Sequence, residues 1–257
     1  MRHARIRPAG HAEAVFLRLE AARVDGFSGF DAIPADGWLP PNSGMVYGVI
    51  LNDRASIETY GERMTRPPHV KPPVAPVLYF KPYNTHAGHQ AVVDLPAGVA
   101  QVEIGATVGI VFGATCSRAA EASAMSAVAG YTLAIDLSVP KENLYRPPVL
   151  EKCFDHSCPI GPWIVDRDDV GDPGTLTLRT FVNGELRHAF STADLIRPVA
   201  KLIADVSEFM SLHAGDVLLV GYPLTVPLAG AGDAIAVECD ALGRLECRLI
   251  AASGARK

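Results

Sequence analysis

The sequence predicts an α+β fold dominated by strands, and three observations carry that expectation. Residues 175–182 (Thr-Leu-Thr-Leu-Arg-Thr-Phe-Val) alternate at period two and run into Asn183-Gly184, a pair suited to a type I′ hairpin because both central positions need positive φ. Short apolar runs at 108–112, 131–135, 217–220, 234–239 and 244–249 read as strands, the last three separated by Gly/Asp turns. Beside these stands one strongly helical segment, 192–211, whose Leu195, Val199, Leu202, Ile203, Val206, Phe209 and Met210 recur at helical spacing. Pro198 marks a break near its start, and Asp194 suits the positive end of the helix dipole.

The earlier elements follow in order. Residues 1–43 differ in character from the rest: a helix over 11–23, then a Gly/Pro/Asp-rich run ending in Trp38-Leu39-Pro40-Pro41. They read as a small N-terminal subdomain or arm, with 44–257 as the main domain. A short apolar strand is expected at 45–51 and a polar helical segment at 54–64. The prolines between Arg66 and Pro76 exclude regular helix and suggest a lid or linker. A strand at 77–80 follows, and 121–129 is rich in small helix formers.

A length of 257 residues suits one large domain, or a core domain with a smaller piece attached, and can bury a sizeable core. With 49% hydrophobic and 20% charged residues the composition is that of an ordinary soluble globular protein. A net charge of -5 without a basic stripe argues against a nucleic-acid partner. No apolar run reaches the ~18–20 residues a membrane-spanning helix needs, and Met1 to Arg5 lack the pattern of a signal peptide. Five cysteines, an odd number, favour free thiols in a reducing compartment, so the cytoplasm is the expected location.

Several segments point further. They are Phe80-Lys81-Pro82 with Asn84-Thr85; Ala129-Gly130-Tyr131-Thr132 running into Asp136-Leu137-Ser138; and Lys152-Cys153 leading to Cys158-Pro159-Ile160-Gly161-Pro162-Trp163. Thr180 to Leu186, Thr192 to Ile196, Ser207 to Met210, Gly215-Asp216 and Gly232-Asp233 complete the series. Together, and in this order over residues 45–250, they resemble the fumarylacetoacetate hydrolase family. The resemblance implies a mixed β-sandwich or roll with a few helices and a small N-terminal extension. Gly105-Ala106-Thr107, Tyr145-Arg146-Pro147 and the Cys153/Cys158 segment look most like the first half of the family's tandem-domain isomerase/decarboxylases of 4-hydroxyphenylacetate degradation, a half that in some bacteria is a separate chain.

Family members hold Mg²⁺ or Mn²⁺ on two glutamates at i and i+2 of a strand plus an aspartate after another strand. Period two puts both carboxylates on one face, and hard cations want oxygen ligands. Here Asp136 stands at the aspartate position, but Gly105 and Thr107 stand at the glutamate positions. Glu103 lies two residues earlier on the same face, ~6–7 Å along a strand, and reaches the ligand place only if the register shifts. The metal is therefore expected to be weak or absent. The resemblance makes Lys81 and Lys152 the catalytic, carboxylate-binding cations, with Asp155 orienting Lys152. It puts Arg146, Asn84 and Tyr222 at the substrate, Tyr222 in place of the family's threonine. Arg146 either pairs with a carboxylate bidentately or anchors its loop.

Other constellations are read as structural. The lid region 51–58 has no histidine, so hydrolysis through a His–Glu dyad is not expected. His86-x-x-His89 reads as a turn. Cys153, His156 and Cys158 lack a fourth zinc ligand. Ser138 and Ser191 have no His/Asp pattern beside them. Three functions stay open: a decarboxylase/isomerase subunit acting on an oxo-tricarboxylate or dicarboxylate of aromatic catabolism; a metal-free, catalytically degenerate partner of a metal-bearing homologue; and a small-acid binding protein. The first carries over 5-oxopent-3-ene-1,2,5-tricarboxylate decarboxylation and 2-hydroxyhepta-2,4-dienedioate isomerisation. The expected assembly is a homodimer, or a heterodimer with a metal-bearing homologous subunit.

Overall fold

The computed structural model describes residues 1–7, 13–19, 37–67, 71–140 and 147–252. Its elements in order are β1 (Arg2–Ile6), β2 (Val15–Leu19), β3 (Trp38–Leu39), β4 (Val46–Ile50), α1 (Arg54–Met64), β5 (Val77–Lys81), β6 (His86–Ala87), β7 (Ala91–Asp94) and β8 (Gln101–Phe112). Then come α2 (Glu121–Ala124), β9 (Val128–Ser138), α3 (Val149–Lys152), β10 (Cys158–Asp166), α4 (Arg167–Val170), β11 (Thr177–Val182), β12 (Glu185–Ser191) and α5 (Val199–Ser207). The chain closes with β13 (Val217–Leu219), β14 (Leu228–Gly230), β15 (Ala234–Cys239) and β16 (Gly243–Ile250).

Two open, mixed sheets form. The larger runs β2-β1-β10-β9-β8-β13-β4-β5, with β14 also on β8, β3 on β1 and β6 on β10; the smaller runs β12-β11-β15-β16-β7. The core lies between them. Ile104, Ile110 and Phe112 of β8 and Leu133, Ile135 and Leu137 of β9 join Leu178, Val237, Leu245 and Leu249 of the smaller sheet. Because side chains alternate along a strand, the opposite face of β8 and β9 is left for other work, and the site stands there.

Most expected elements are present. The strand at 45–51 and the polar helix at 54–64 stand as β4 and α1, with Asp53 capping the helix through Ser56 N at 2.8 Å. The turn after β11 has Asn183 at φ 53° and Gly184 at φ 82°, both positive. Three expectations are corrected. Of the helix expected at 11–23, the described part contains a strand, β2, paired along its whole length with β1. Val15, Leu17 and Leu19 suit that pairing, and the ladder outweighs a weak helical preference. The helix expected at 121–129 ends early, because Val128 already begins β9 after a short 3₁₀ turn. The helix expected at 192–211, with its break at Pro198, does run on regularly from Val199 as α5, but it ends early, at Ser207. A 3₁₀ turn at Thr192–Asp194 precedes it, and Pro198 lies between them with extended geometry. Of the proline-rich lid or linker candidate, residues 68–70 lie outside the described residues, and the rest contains no helix.

The described parts of 1–43 join the larger sheet: β1 pairs with β10, and β3 pairs with β1. All five cysteines are free thiols. Among the described residues no helix is long and apolar enough to cross a membrane.

Candidate functional site

The site grows from the long β8–β9 ladder. Its register puts Gly105 opposite Asp136 and Glu103 opposite Ser138. Alternation then places Glu103, Gly105 and Thr107 on the same sheet face as Asp136 and Ser138. β13 lies beside β8, β4 beside β13, and β5 beside β4. That chain of pairings brings Tyr79 and Lys81, at the inward positions of β5, over the same face.

Asp136 is fully buried and ion-paired on both oxygens. Lys81 Nζ lies 2.9 Å from Oδ1 and Lys152 Nζ 2.6 Å from Oδ2. Tyr79 and Tyr222 donate their hydroxyls to Oδ2 at 2.5 and 2.9 Å. Lys152 spends its remaining protons on Ser138 Oγ at 2.6 Å and Tyr222 Oη at 2.7 Å. Its ammonium also stands 4.5 Å from the Tyr79 ring centre, within cation–π range. Lys81 donates to Ser157 Oγ at 3.0 Å and to the Lys152 carbonyl.

Burial alone pushes the Asp136 carboxyl up, but Lys152 and Lys81, with the Lys152 and Tyr79 hydrogen bonds, outweigh it and hold the group well below the usual carboxylate range. Burial, reinforced by the Asp136 charge, raises both tyrosines well above their ordinary value, so both stay protonated donors. Two ammoniums, one carboxylate and two neutral phenols leave the cluster with a net positive charge. Lys81 is sealed, whereas the Lys152 side chain keeps 8% exposure.

Glycines make room for the tyrosines. A Cβ on Gly105 would land in the Tyr222 ring, and one on Gly48, opposite Tyr79 in the β4–β5 ladder, would land in the Tyr79 ring. Thr107, expected at the second glutamate position, donates its hydroxyl to the Gly221 carbonyl at 2.9 Å. Gly221 has a φ of 100°, a turn that glycine adopts without strain and that swings Tyr222 onto β8. Both non-acidic positions thus serve Tyr222: one yields it space, the other pins its turn.

A divalent cation does not fit these residues. One carboxylate remains of the three expected, its Oδ2 already accepts from three donors, and two ammoniums press on it. Among the described residues, no group of three or more His, Cys, Asp or Glu side chains could hold a metal.

The other expected site residues divide. Tyr222, Lys81 and Lys152 converge on Asp136, but both lysines are bound to protein groups. Asn84 is exposed and stands apart, donating to the Cys153 carbonyl at 3.0 Å and to Asp155 at 2.8 Å. Asp155 therefore pairs with Asn84, in place of the expected contact to Lys152. Arg146 lies outside the described residues. His86 bonds the Lys81 carbonyl, and His89 accepts from Glu246 N while burial takes its pKa down to about 4, so this pair is structural. Cys158 is buried, its thiol pushed up to about 12. Sequence reasoning missed Tyr79, Ser138 and Ser157 as members of the cluster. Gly48, inside the strand predicted at 45–51, was the available signal of close approach; Gly105 stands three residues before the strand predicted at 108–112 and joins it only in the observed β8.

Known proteins share this fold. The model of the family "Fumarylacetoacetate (FAA) hydrolase C-terminal" matches residues 45–250. The 4-hydroxyphenylacetate degradation bifunctional isomerase/decarboxylase of Salmonella dublin is 41% identical over 181 residues, 70% of this chain and 42% of that protein, so the match spans less than half the relative's length. The crystal structure of 5-carboxymethyl-2-hydroxymuconate delta-isomerase from Mycobacterium smegmatis superposes with a TM-score of 0.77 at 28% identity, covering 98% of this chain and 99% of that one. Fumarylpyruvate hydrolase from Pseudomonas aeruginosa, solved with Mn²⁺ and pyruvate, shares the fold: TM-score 0.71, 24% identity, 84% and 92% coverage. The chain belongs to the fumarylacetoacetate hydrolase family.

Proposed function

We propose that this chain is a decarboxylase/isomerase subunit for an oxo-tricarboxylate or oxo-dicarboxylate of aromatic catabolism, working without a metal of its own. The observation that carries the reading is the cationic Lys81–Asp136–Lys152 cluster on the sheet face where relatives with two glutamates would hold an ion. Loss of CO₂ from 5-oxopent-3-ene-1,2,5-tricarboxylate leaves an electron pair that runs through the double bond to the oxo oxygen. The product, 2-hydroxyhepta-2,4-dienedioate, is then isomerised by moving a proton from oxygen to carbon. Both steps need a fixed positive charge or hydrogen-bond donors where negative charge develops. Lys152, backed by Tyr79 and Tyr222, supplies them in a low-dielectric setting once substrate competes with Asp136 for its protons. The net positive cluster also favours the substrate's carboxylates, and Arg146 adds a further cation in this reading.

The reading includes an oligomer: a second copy, or a homologous glutamate-bearing domain. The partial coverage of the bifunctional relative supports the latter. A second reading, a catalytically silent partner, is favoured by the saturation of every Lys152 proton by protein groups. Turnover of both substrates by the purified full-length chain in EDTA separates the two. The first reading expects CO₂ release and dienol consumption, abolished by Lys152→Ala. A chain that is silent alone yet accelerates a glutamate-bearing homologue belongs to the second.

A further inference from the structure

We propose that Glu103 is the general acid of this site, delivering the proton to carbon when the dienol is isomerised. This inference rests on the decarboxylase/isomerase reading and names the proton donor for it. Lys152, Tyr79 and Tyr222 all point their protons at Asp136 oxygen, and Asp136 is held as a carboxylate. The cluster can therefore stabilise an oxyanion, but it offers no carboxylic acid to protonate carbon.

Glu103 fills that gap by position. It lies on the same face of β8 as Gly105, one pleat repeat away, so about 6–7 Å along the strand. Its cross-strand partner on β9 is Ser138, whose hydroxyl accepts from Lys152 at 2.6 Å. On its other side is Leu228 of β14, an apolar neighbour. Gly105 has no side chain to stand between Glu103 and the Tyr222 ring. Glu103 is half-buried, and among the described residues no hydrogen bond or ion pair holds its carboxyl. The charged and titratable groups that face it are Lys152 of α3, Asp136 of β9 and Tyr222 after β13. Burial raises the Glu103 carboxyl, Lys152 opposes the rise, and Asp136 adds to it; the net direction is upward, towards a protonated acid.

The step balances without a further reactant. The O–H bonding pair of the 2-hydroxy group forms the C=O bond, and the C2=C3 pair moves to C3=C4. The C4=C5 pair takes the Glu103 proton at C5. The hydroxyl proton passes to water, and water reprotonates Glu103. No redox change occurs.

The test uses the purified full-length chain and its Glu103→Gln and Glu103→Asp variants, with 2-hydroxyhepta-2,4-dienedioate in EDTA. It follows loss of the dienol absorbance across pH and deuterium incorporation at C5 in D₂O. Glu103→Gln is expected to lower kcat by roughly 100-fold or more, with KM changed by less than about threefold, as expected for an interaction made in the transition state. Wild-type kcat falls as pH rises through the Glu103 ionisation, and that limb disappears in Glu103→Gln. Glu103→Asp retains part of the rate and keeps the limb. A role confined to balancing the cluster's charge would change the thermal midpoint but leave the pH limb in place, and that result overturns the inference. A wild-type chain that turns over while Glu103→Gln keeps its rate overturns this inference alone. A wild-type chain without turnover brings down the reading of the site and this inference with it.

Discussion

Asp136 is the residue on which two buried cations depend. Removing it leaves two buried ammoniums without their shared carboxylate, whereas removing either lysine leaves the other still paired. Breaking a buried pair from one side costs about 3–5 kcal/mol, so Asp136→Asn is expected to lower the denaturation free energy by that amount in urea titrations. The pH dependence has a defined sign. A carboxyl whose folded pKa lies below its unfolded value contributes stability that is complete above the unfolded value and is lost as pH falls through the folded one. The wild type should therefore lose stability progressively below about pH 5, and Asp136→Asn should flatten that part of the curve. An unchanged acid slope in the variant would show that other carboxylates control it. At this scale the sequence was legible where resemblance named a position: Lys81, Lys152, Asp136 and Tyr222 do converge. Tyr79 was not legible, because a tyrosine in a strand looks like any core aromatic until its partner glycine on the next strand is known.

Among the elements, the β11–β12 hairpin shows how much a local signal can determine. Asn183 and Gly184 both adopt positive φ, and the Asn183 side chain also ties the turn to the strand beyond. Its amide donates to Asp233 at 2.8 Å and accepts from Ala234 N at 2.9 Å. Asn183→Ala removes those bonds and forces a residue with a Cβ of poorer tolerance into left-handed geometry. A loss of about 1–3 kcal/mol is expected from the two effects, measurable as a drop in thermal midpoint with the fold intact; a neutral variant would mean the turn is not limiting. Helices were less legible than strands. Alanine-rich stretches around 11–23 and 121–129 carry helical propensity of only tenths of a kcal/mol per residue. Pairing of Val15–Leu19 with β1, and the start of β9 at Val128, override it. In α5 the apolar face of Val199, Leu202, Ile203 and Val206 is buried as its spacing implies.

For the whole molecule, the family relationship and a cluster among whose described residues no metal-holding group is found make opposite demands, and packing reconciles them. The fold is kept, with Tyr222, Lys152 and Lys81 around Asp136. The protein's stability should therefore be indifferent to divalent ions. A cation present at 100 times its dissociation constant adds about 2.7 kcal/mol to a protein that binds it, equivalent to roughly 5–10 °C for a chain of this size. Thermal midpoints in EDTA and in excess Mn²⁺ are expected to coincide; a rise of several degrees with Mn²⁺ would mean that the cluster opens and accepts the ion.

By itself, the sequence determined the strand-rich class, the hairpin at Asn183-Gly184 and the family, and it shows non-acidic residues, Gly105 and Thr107, where the resemblance leads one to expect carboxylates. These are local facts: period, turn chemistry and residue identity along a strand. Only the tertiary structure decided what replaces the carboxylates. Asp136, Lys152, Lys81, Tyr79 and Tyr222 come from β9, α3, β5 and the loop after β13, so their charges meet only when the ladders set their register. Whether a lysine is a free cation or half of a buried ion pair depends on a partner distant in sequence, and no reading of its neighbours along the chain contains that partner's distance.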